Sequence, residues 1–202
     1  LGVDPAFRPC SQERIDLIRQ KHRLPDRYVL FVGNPKPHKG IVQLLQAMKT
    51  ISRQYNDLSL VIAGGTQVDK TRIHGLASGL GITELVKVVS GIPIDELPPL
   101  YCGAEMLAMP SLWEGFGLPL VEAMACGVPI VCSNVSSLPE VVGDAAVLVK
   151  PGDALDLAAG IATLFSSSSL QKDLRKRGIS RAVTYRWENT VEATLAAYRS
   201  VI

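Results

Sequence analysis

Short apolar runs alternate along the first part of the chain with segments whose apolar residues recur at helical spacing. The runs at 28–32 and 58–63 are rich in β-branched and aliphatic residues and end at Gly33 and Gly64, which is typical of strands buried in a parallel sheet. Between them, one helix face is marked by five apolar residues: Ile41, Leu44, Leu45, Met48 and Ile51. The pattern therefore predicts a strand, a helix and a second strand in that order.

The same alternation continues to residue 149. It predicts helices near residues 69–80, 95–102 and 119–126, and strands near 86–90, 106–109, 129–132 and 146–149. An order of this kind predicts the α/β fold class, with a Rossmann-like parallel sheet and helices on both faces. Beyond Pro151 the strand pattern stops. Residues 154–202 are therefore expected to form a helical C-terminal tail, in which the serine run 166–169 is a turn between two helices.

The bulk composition is that of an ordinary packed domain. With 202 residues, 47% hydrophobic and 20% charged, the chain can bury one substantial core, and residues 1–202 are expected to form a single domain. A formal net charge of +2, without a basic run interleaved with aromatic residues, argues against nucleic acid as a partner. Four cysteines with no CxxC pair favour buried thiols in a reducing, cytosolic compartment over a disulfide framework.

The start of the chain is interpreted as part of something longer. The first residue is Leu1, and residues 1–9 are turn-like, with Pro5 and Pro9, so we expect them to be a linker. They lack the charged and then apolar profile of a signal peptide, and no apolar run approaches the roughly 20 residues that a membrane-spanning helix needs. We therefore expect a soluble, cytoplasmic chain that could still act at a membrane surface.

The stretch WEGFGLPLVE, residues 113–122, follows the fourth predicted strand and opens the next helix. Ligands of open parallel sheets bind beyond the carboxyl ends of the strands, so this stretch is expected at the ligand-binding edge. Pro119 suits the first helical position, which would leave the amides of residues 116–118 pointing outward, and such a helix start attracts phosphate. Gly115 and Gly117 would permit a sharp loop and a close approach of ligand to backbone.

Two carboxylates flank this helix start. Glu114 is expected in the loop and Glu122 in the first helical turn, so that both can face one ligand and accept hydrogen bonds from hydroxyl groups, as on a sugar. The structural alternative is that Glu122 only complements the helix dipole and Glu114 only caps a turn. From these two residues alone, both interpretations stay open.

A second loop, GNPKPHKG at residues 33–40, follows the first predicted strand and so opens onto the same edge. It is not a P-loop, because Lys39 precedes Gly40 and Ile41 follows, and it is not the GxGxxG of dinucleotide-dependent oxidoreductases. The sequence contains no Asp-x-Asp pair, HExxH or Cys/His cluster, so neither a metal ion nor a cofactor is expected.

Taken together, these segments resemble family 4 of the retaining glycosyltransferases, which have the GT-B fold. The resemblance covers essentially the whole chain and is carried by WEGFGLPLVE with the following AMACGVPIV, by FVGNPKPHKG, by SSLPEVVGDAAVLVKPGD and by LGVDPAFRP. It implies the C-terminal, donor-binding half of a GT-B enzyme, with residues 1–9 as the interdomain linker and the N-terminal acceptor domain absent. The implied reaction is retaining transfer of a hexose from a nucleoside diphosphate sugar to a hydroxyl acceptor, without a metal ion.

The resemblance also implies roles for individual residues. Lys39 would hold the donor diphosphate and stabilise the leaving nucleotide, Glu114 would orient sugar hydroxyls, and these two are the catalytic candidates. Glu122 would hold the ribose, and Ile92 would lie near the base. The residues expected to bind the nucleotide sugar are Gly33, Asn34, Lys39, Gly64, Ile92, Glu114, Gly115, Phe116, Gly117, Leu118 and Glu122.

One position departs from the family pattern. Asn34 stands directly after the loop glycine, where an arginine is usual. Either Lys36 or His38 supplies the missing positive charge, or the diphosphate is held more weakly than in other members. The partners that the resemblance implies are a nucleoside diphosphate sugar and the N-terminal domain of the same full-length chain, through which the protein could contact the inner face of a membrane.

Neither the base, the sugar nor the acceptor can be read from the sequence. The runs PHKG and SLPEVVGDAA resemble transferases that build bacterial surface polysaccharides, which favours GDP-mannose or UDP-glucose as donor and polysaccharide or glycolipid synthesis as the process. A general group is expected from the N-terminal domain, so this fragment alone should be inactive. The alternatives are a non-catalytic nucleotide-sugar-binding module and another GT-B enzyme, such as a nucleotide-sugar epimerase.

Overall fold

The computed structural model describes residues 1–201 and contains a six-stranded sheet in which every pairing is parallel. The strands are β1 (Tyr28–Val32), β2 (Ser59–Ala63), β3 (Val86–Val89), β4 (Met106–Met109), β5 (Ile130–Ser133) and β6 (Val147–Val149). Their order across the sheet is β3-β2-β1-β4-β5-β6. All six strands that the sequence predicts are confirmed.

Nine α-helices occur within residues 1–201. They are α1 (Gln12–His22), α2 (Ile41–Ile51), α3 (Gln67–Gly79), α4 (Leu97–Cys102), α5 (Leu118–Ala125), α6 (Leu138–Val142), α7 (Ala154–Ser166), α8 (Ser168–Ala182) and α9 (Trp187–Arg199). The helices predicted between strands are confirmed, with ends shifted by one or two residues. The sequence pattern missed α1, in which only Ile18 is buried, and α6, which is five residues long.

The two faces of the sheet carry separate apolar cores. Tyr28 and Leu30 of β1 point into one core, Val29 and Phe31 point into the other, and all four are almost fully buried. Side chains of α1, α4, α5 and α6 complete the first core, and side chains of α2, α3 and α7 complete the second. The structure therefore confirms the predicted Rossmann-like sheet with helices on both faces.

The predicted helical tail consists of three α-helices that pack against the rest of the domain in different ways. Helix α7 buries Leu157, Ile161 and Leu164 and packs against α2, so it belongs to one layer of the domain. Helix α8 packs against α5 on the other side, whereas α9 has no buried residue. The serine run does join two helices, but only Ser167 lies outside them, because α7 ends at Ser166 and α8 begins at Ser168. The Ser167 hydroxyl caps α8 by accepting the backbone N–H of Leu170.

Residues 1–9 lie against the domain. The backbone N–H of Val3 donates to the carbonyl of Tyr185 (2.8 Å), and the buried ring of Phe7 packs edge-on against Tyr101 with ring centroids 5.9 Å apart. The interpretation of this segment as an interdomain linker stays a prediction. Within residues 1–201, every helix is too short or too polar to cross a membrane.

Candidate functional site

The strand order brings two distant loops together. β1 lies between β2 and β4, at the position where the order of the strands along the sheet reverses, which is where open α/β sheets bind ligands. Because β1 and β4 are parallel, their carboxyl ends lie at the same edge. The loops that follow them, residues 33–40 and 110–117, meet there although Lys39 and Glu114 are 75 positions apart.

The two loops touch through their backbones. Gly40 has a φ of +70°, and a Cβ at this residue would lie 2.1 Å from the carbonyl oxygen of Pro110, which is too close for any side chain. Nearby, the backbone N–H of Leu112 donates to the carbonyl of His38 over 2.7 Å. Gly40 therefore lets the loops approach closely enough for their side chains to meet.

The two catalytic candidates from the sequence form an ion pair at this junction. The ammonium of Lys39 lies 2.6 Å from Oε1 of Glu114, and the hydroxyl of Ser111 donates to the same oxygen over 2.7 Å. The side chains of Lys39 and Glu114 are only 20% and 10% exposed, so the pair is largely shielded from solvent. Oε2 of Glu114 accepts no hydrogen bond from any donor within residues 1–201, and it is in contact with solvent.

The start of α5 adjoins the ion pair. Gly117 is the N-cap, with φ +100° and ψ +51°, and the helix begins at Leu118, so Pro119 is the second helical residue and not the first. The amides of Phe116, Gly117 and Leu118 donate to no acceptor within residues 1–201. These three backbone donors therefore have no partner among the described residues, as at the start of a helix that binds an anion.

A residue that sequence reasoning missed holds this loop in place. The hydroxyl of Ser137, which precedes α6, lies 3.2 Å from the carbonyl oxygen of Glu114 and 3.1 Å from that of Phe116, and its single proton is shared between these two acceptors. The ring of Phe116 packs edge-on against the ring of Tyr185. Gly115 has open space around its Cβ position, and Leu118 is exposed at the helix start.

Glu122 lies in a different environment from Glu114. The expectation that it sits in the first turn of α5 is wrong, because the helix starts before Pro119 and Glu122 is its fifth residue. Its Oε2 accepts the hydroxyl of Tyr101, from α4, over 2.6 Å. Burial raises the pKa of Glu122, and burial together with this carboxylate raises the pKa of Tyr101 well above its ordinary value. Within residues 1–201, Glu122 contacts neither Lys39 nor Glu114 through a hydrogen bond or ion pair.

The remaining candidates follow the ends of β1, β2 and β3. Gly33 has a φ of +137° and open space at its Cβ position, so a ligand could approach its backbone. Gly64 is needed for another reason, because its Cβ would lie 2.4 Å from the carbonyl oxygen of Gly33. Asn34 is exposed and its carbonyl accepts the backbone N–H of Lys36, while Ile92 is half-buried against the core.

An aromatic stack, which the sequence analysis did not include among the site residues, lies beside the ion pair. The rings of His38 and Trp113 are 4.5 Å apart between centroids and inclined by 22°, and Trp113 is 58% exposed. His38 directly precedes Lys39, and Trp113 directly precedes Glu114. The sequence placed both loops at one edge of the sheet, but it carried no signal that these two rings would meet.

No cluster of three or more His, Cys, Asp or Glu side chains able to hold a metal ion occurs within residues 1–201. The loops meet along an open edge of the sheet. A cleft of about 470 Å³ lies elsewhere, between residues 3–9 and the ends of α8 and α9. The candidate site therefore offers backbone donors and an ion pair where the two loops meet, and a separate half-buried carboxylate at Glu122.

Comparison with known proteins identifies the relatives of the chain. Residues 14–181 match the family model "Glycosyl transferases group 1". The O-antigen chain mannosyltransferase B of Escherichia coli is 36% identical over 98% of this chain and 53% of its own length. The MMP alpha-(1->4)-mannosyltransferase of Mycolicibacterium hassiacum is 37% identical over all of this chain and 47% of its own length.

The fold has close counterparts among solved structures. The sucrose-phosphate synthase of Thermosynechococcus elongatus superimposes with a TM-score of 0.86 and 30% identity, over 99% of this chain and 51% of that protein. In each of these three comparisons the chain spans about half the length of its relative.

Proposed function

The chain belongs to the glycosyl transferases group 1 family, and from this premise we propose that it is the donor-binding domain of a retaining hexosyltransferase. Within the longer protein it would bind a nucleoside diphosphate sugar, and the hexose would pass to a hydroxyl acceptor. The observation that carries the proposal is the ion pair between Lys39 and Glu114, next to three free amides at the start of α5 and at the switch point of the sheet.

The charged groups of the site would contribute to diphosphate binding in different ways. Because Glu114 neutralises Lys39, the net attraction for a diphosphate comes from the helix start and from the exposed Lys36 nearby. Lys39 keeps N–H donors that the carboxylate does not use, and the pair fixes where they point. When the sugar departs, these donors and the α5 amides stabilise the charge that develops on the leaving diphosphate.

Both carboxylates have one oxygen left for hydroxyl groups of the ligand. Oε1 of Glu114 is engaged by Lys39 and Ser111, so Oε2 would accept hydroxyls of the donor sugar. Oε2 of Glu122 is engaged by Tyr101, so Oε1 would accept hydroxyls of the ribose. Two ribose donors would relieve a carboxylate whose pKa burial raises.

The finer assignments rest on the relatives and on the resemblance in sequence. Two similar proteins are named as mannosyltransferases, which supports a mannose-type donor above a glucose-type one. We further propose that the parent protein acts in the cytoplasm, in polysaccharide or glycolipid synthesis, and that no cofactor or metal ion takes part. The missing general group and the main part of the acceptor site would come from an N-terminal domain, so the 202-residue chain alone should show no transferase turnover.

One observation favours a second candidate, a nucleotide-sugar-binding module without catalysis. Asn34 is exposed and uncharged at the position where the family usually has an arginine. If neither Lys36 nor His38 compensates, the leaving diphosphate would be stabilised too weakly for transfer. A transfer assay of the longer parent protein with GDP-mannose and UDP-glucose separates the two, because a module would bind a donor and turn over none.

Calorimetric titration of the chain with UDP, GDP and ADP tests the proposed site. Lys39→Ala should weaken binding of the preferred nucleotide by about tenfold to a hundredfold, the worth of a charge-assisted hydrogen bond. Glu122→Ala should weaken it by about tenfold through the ribose. Lys172→Ala, an exposed lysine of α8, is the matched control. Unchanged affinity in both site variants would place the nucleotide site elsewhere. A lack of nucleotide binding by the unmutated 202-residue chain would contradict the proposed site altogether.

A further inference from the structure

The aromatic pair of His38 and Trp113 has no task in the proposed donor site. The two rings stack at 4.5 Å with an inclination of 22°. Each ring belongs to the residue just before one member of the Lys39–Glu114 ion pair. The two loops are therefore joined by two neighbouring cross-links, one ionic and one aromatic.

These cross-links differ in their exposure to solvent. The Glu114 side chain is 10% exposed, whereas Trp113 is 58% exposed and belongs to neither apolar core. Stacking on His38 covers one face of the indole, so the exposed area comes from its edge and its other face. The aromatic cross-link is thus the outer one, and it presents a flat apolar surface beside a polar site.

We propose that Trp113, backed by His38, is a carbohydrate-binding platform that receives a pyranose ring of the acceptor. One face of a pyranose consists of C–H groups with a slight positive charge, and it packs well on the electron-rich face of an indole. The hydroxyl groups around the ring need polar partners at the edge of such a platform. Asn34 is exposed on the same loop as His38 and would supply such a group.

The position of the platform favours the acceptor over the donor, and this step rests on the proposed function. In that function, Lys39 and the α5 amides hold the diphosphate, and Glu114 holds the donor sugar at the inner cross-link. Trp113 is far more exposed to solvent than Lys39 or Glu114. A second carbohydrate arriving after the donor would therefore reach the Trp113 ring more readily than the inner ion pair.

Intrinsic fluorescence provides a direct test, since the chain has two tryptophans, Trp113 and Trp187. Trp187 is 49% exposed on α9 and is a matched reporter remote in sequence from both loops. In Trp187→Phe, titration with methyl α-D-mannopyranoside or methyl β-D-glucopyranoside should change the Trp113 emission saturably, with a dissociation constant of about 1–50 mM, as expected for one small sugar ring. In Trp113→Ala, the emission of Trp187 should not respond.

Calorimetry then separates the platform from the donor site. Trp113→Ala should leave the affinity for UDP, GDP and the matching nucleotide sugar within about twofold, because the donor is bound without it. In the longer parent protein, Trp113→Ala should raise the acceptor KM by about fivefold or more, and Trp113→Phe should recover most of it. Circular dichroism melting of both variants shows that they are folded.

Each outcome bears on one of the two claims. If nucleotides bind but no sugar perturbs Trp113, or if Trp187 responds equally, the platform is refuted and the donor site stands. If Trp113→Ala weakens only the nucleotide sugar, by about tenfold or more, the ring belongs to the donor and the assignment to the acceptor is refuted. If no nucleotide binds to any variant while the sugar still perturbs Trp113, the proposed function fails and a carbohydrate site remains.

Discussion

The loop before Gly117 and the helix after it each present one carboxylate, and the two are built on different principles. Glu114, in the loop, is surrounded by donors, namely the Lys39 ammonium and the Ser111 hydroxyl. Glu122, in α5, has burial around it and one donor, the hydroxyl of Tyr101. The charge of Glu114 is therefore balanced in the unliganded protein, whereas Glu122 has only one hydrogen-bond donor.

This difference separates two tasks of a binding site. A compensated ion pair holds its geometry and costs little to keep in place, which suits a group that must position a reacting sugar. An undercompensated carboxylate costs stability in the unliganded protein, and a ligand that brings hydroxyl donors relieves that cost. The seven residues between Glu114 and Glu122 thus separate a carboxylate suited to positioning from one suited to binding hydroxyl groups.

The residue that divides the two regions should give the largest effect. Gly117 has a φ of +100°, and a Cβ there would lie 2.9 Å from Cδ2 of Leu138. Gly117→Ala should therefore lower the free energy of unfolding by about 2 kcal/mol or more, through backbone strain and crowding together. Gly115→Ala should change it by no more than about 0.5 kcal/mol, because this residue has an ordinary φ and open space. Urea unfolding of both variants measures these changes. An equal loss of unfolding free energy in the two variants would contradict a special role for Gly117.

The sequence predicted the elements of this fold better than their arrangement. Apolar runs that end at glycine identified β1 and β2, because a strand buried on both faces must be apolar throughout. The order of the strands is set by crossovers that leave no local mark, so the contact between Lys39 and Glu114 was expected only at the level of a shared edge. The stack of His38 on Trp113 depends on that same pairing and was missed.

Helix boundaries explain the error at Glu122. Pro119 was expected to open α5, but Gly117 adopts a left-handed conformation as N-cap and the helix begins one residue earlier. Glu122 then falls beyond the first turn and close to Tyr101 of α4. That contact is set by the packing of α5 against α4, for which the sequence pattern gives no signal.

Replacing each acid by its amide should destabilise the protein at Glu114 but not at Glu122. At pH 7, Glu114→Gln leaves the shielded Lys39 ammonium without a counter-charge and should lower the free energy of unfolding by about 1–2 kcal/mol. Glu122→Gln keeps an acceptor for the Tyr101 hydroxyl and removes a charge that burial disfavours, so stability should be equal or higher. Guanidinium unfolding at one pH measures both, and a loss in both variants would contradict the comparison.

The smallest effect, and the most specific, is the dependence of the Glu122→Gln difference on pH. Burial raises the pKa of Glu122 in the folded chain, so folding favours its protonated form, and that contribution is complete below the pKa of the unfolded chain. As the pH rises through the pKa of Glu122 in the folded protein, the unmutated chain loses this contribution, while the Glu122→Gln variant does not. The stability of the variant relative to the parent should therefore grow from about pH 4 towards pH 7.

Other carboxylates do not obscure this measurement, because they are present in both proteins. Hydrogen bonds and charges hold the pKa of Glu96 below its ordinary value, chiefly through Lys21, and this stabilises both proteins equally as the pH rises. Glu192→Gln, an exposed change on α9, is the matched control and should show no such trend. Thermal unfolding across this pH range decides the matter. A difference that stays flat, or shrinks as the pH rises, would mean that Glu122 is as well compensated as Glu114.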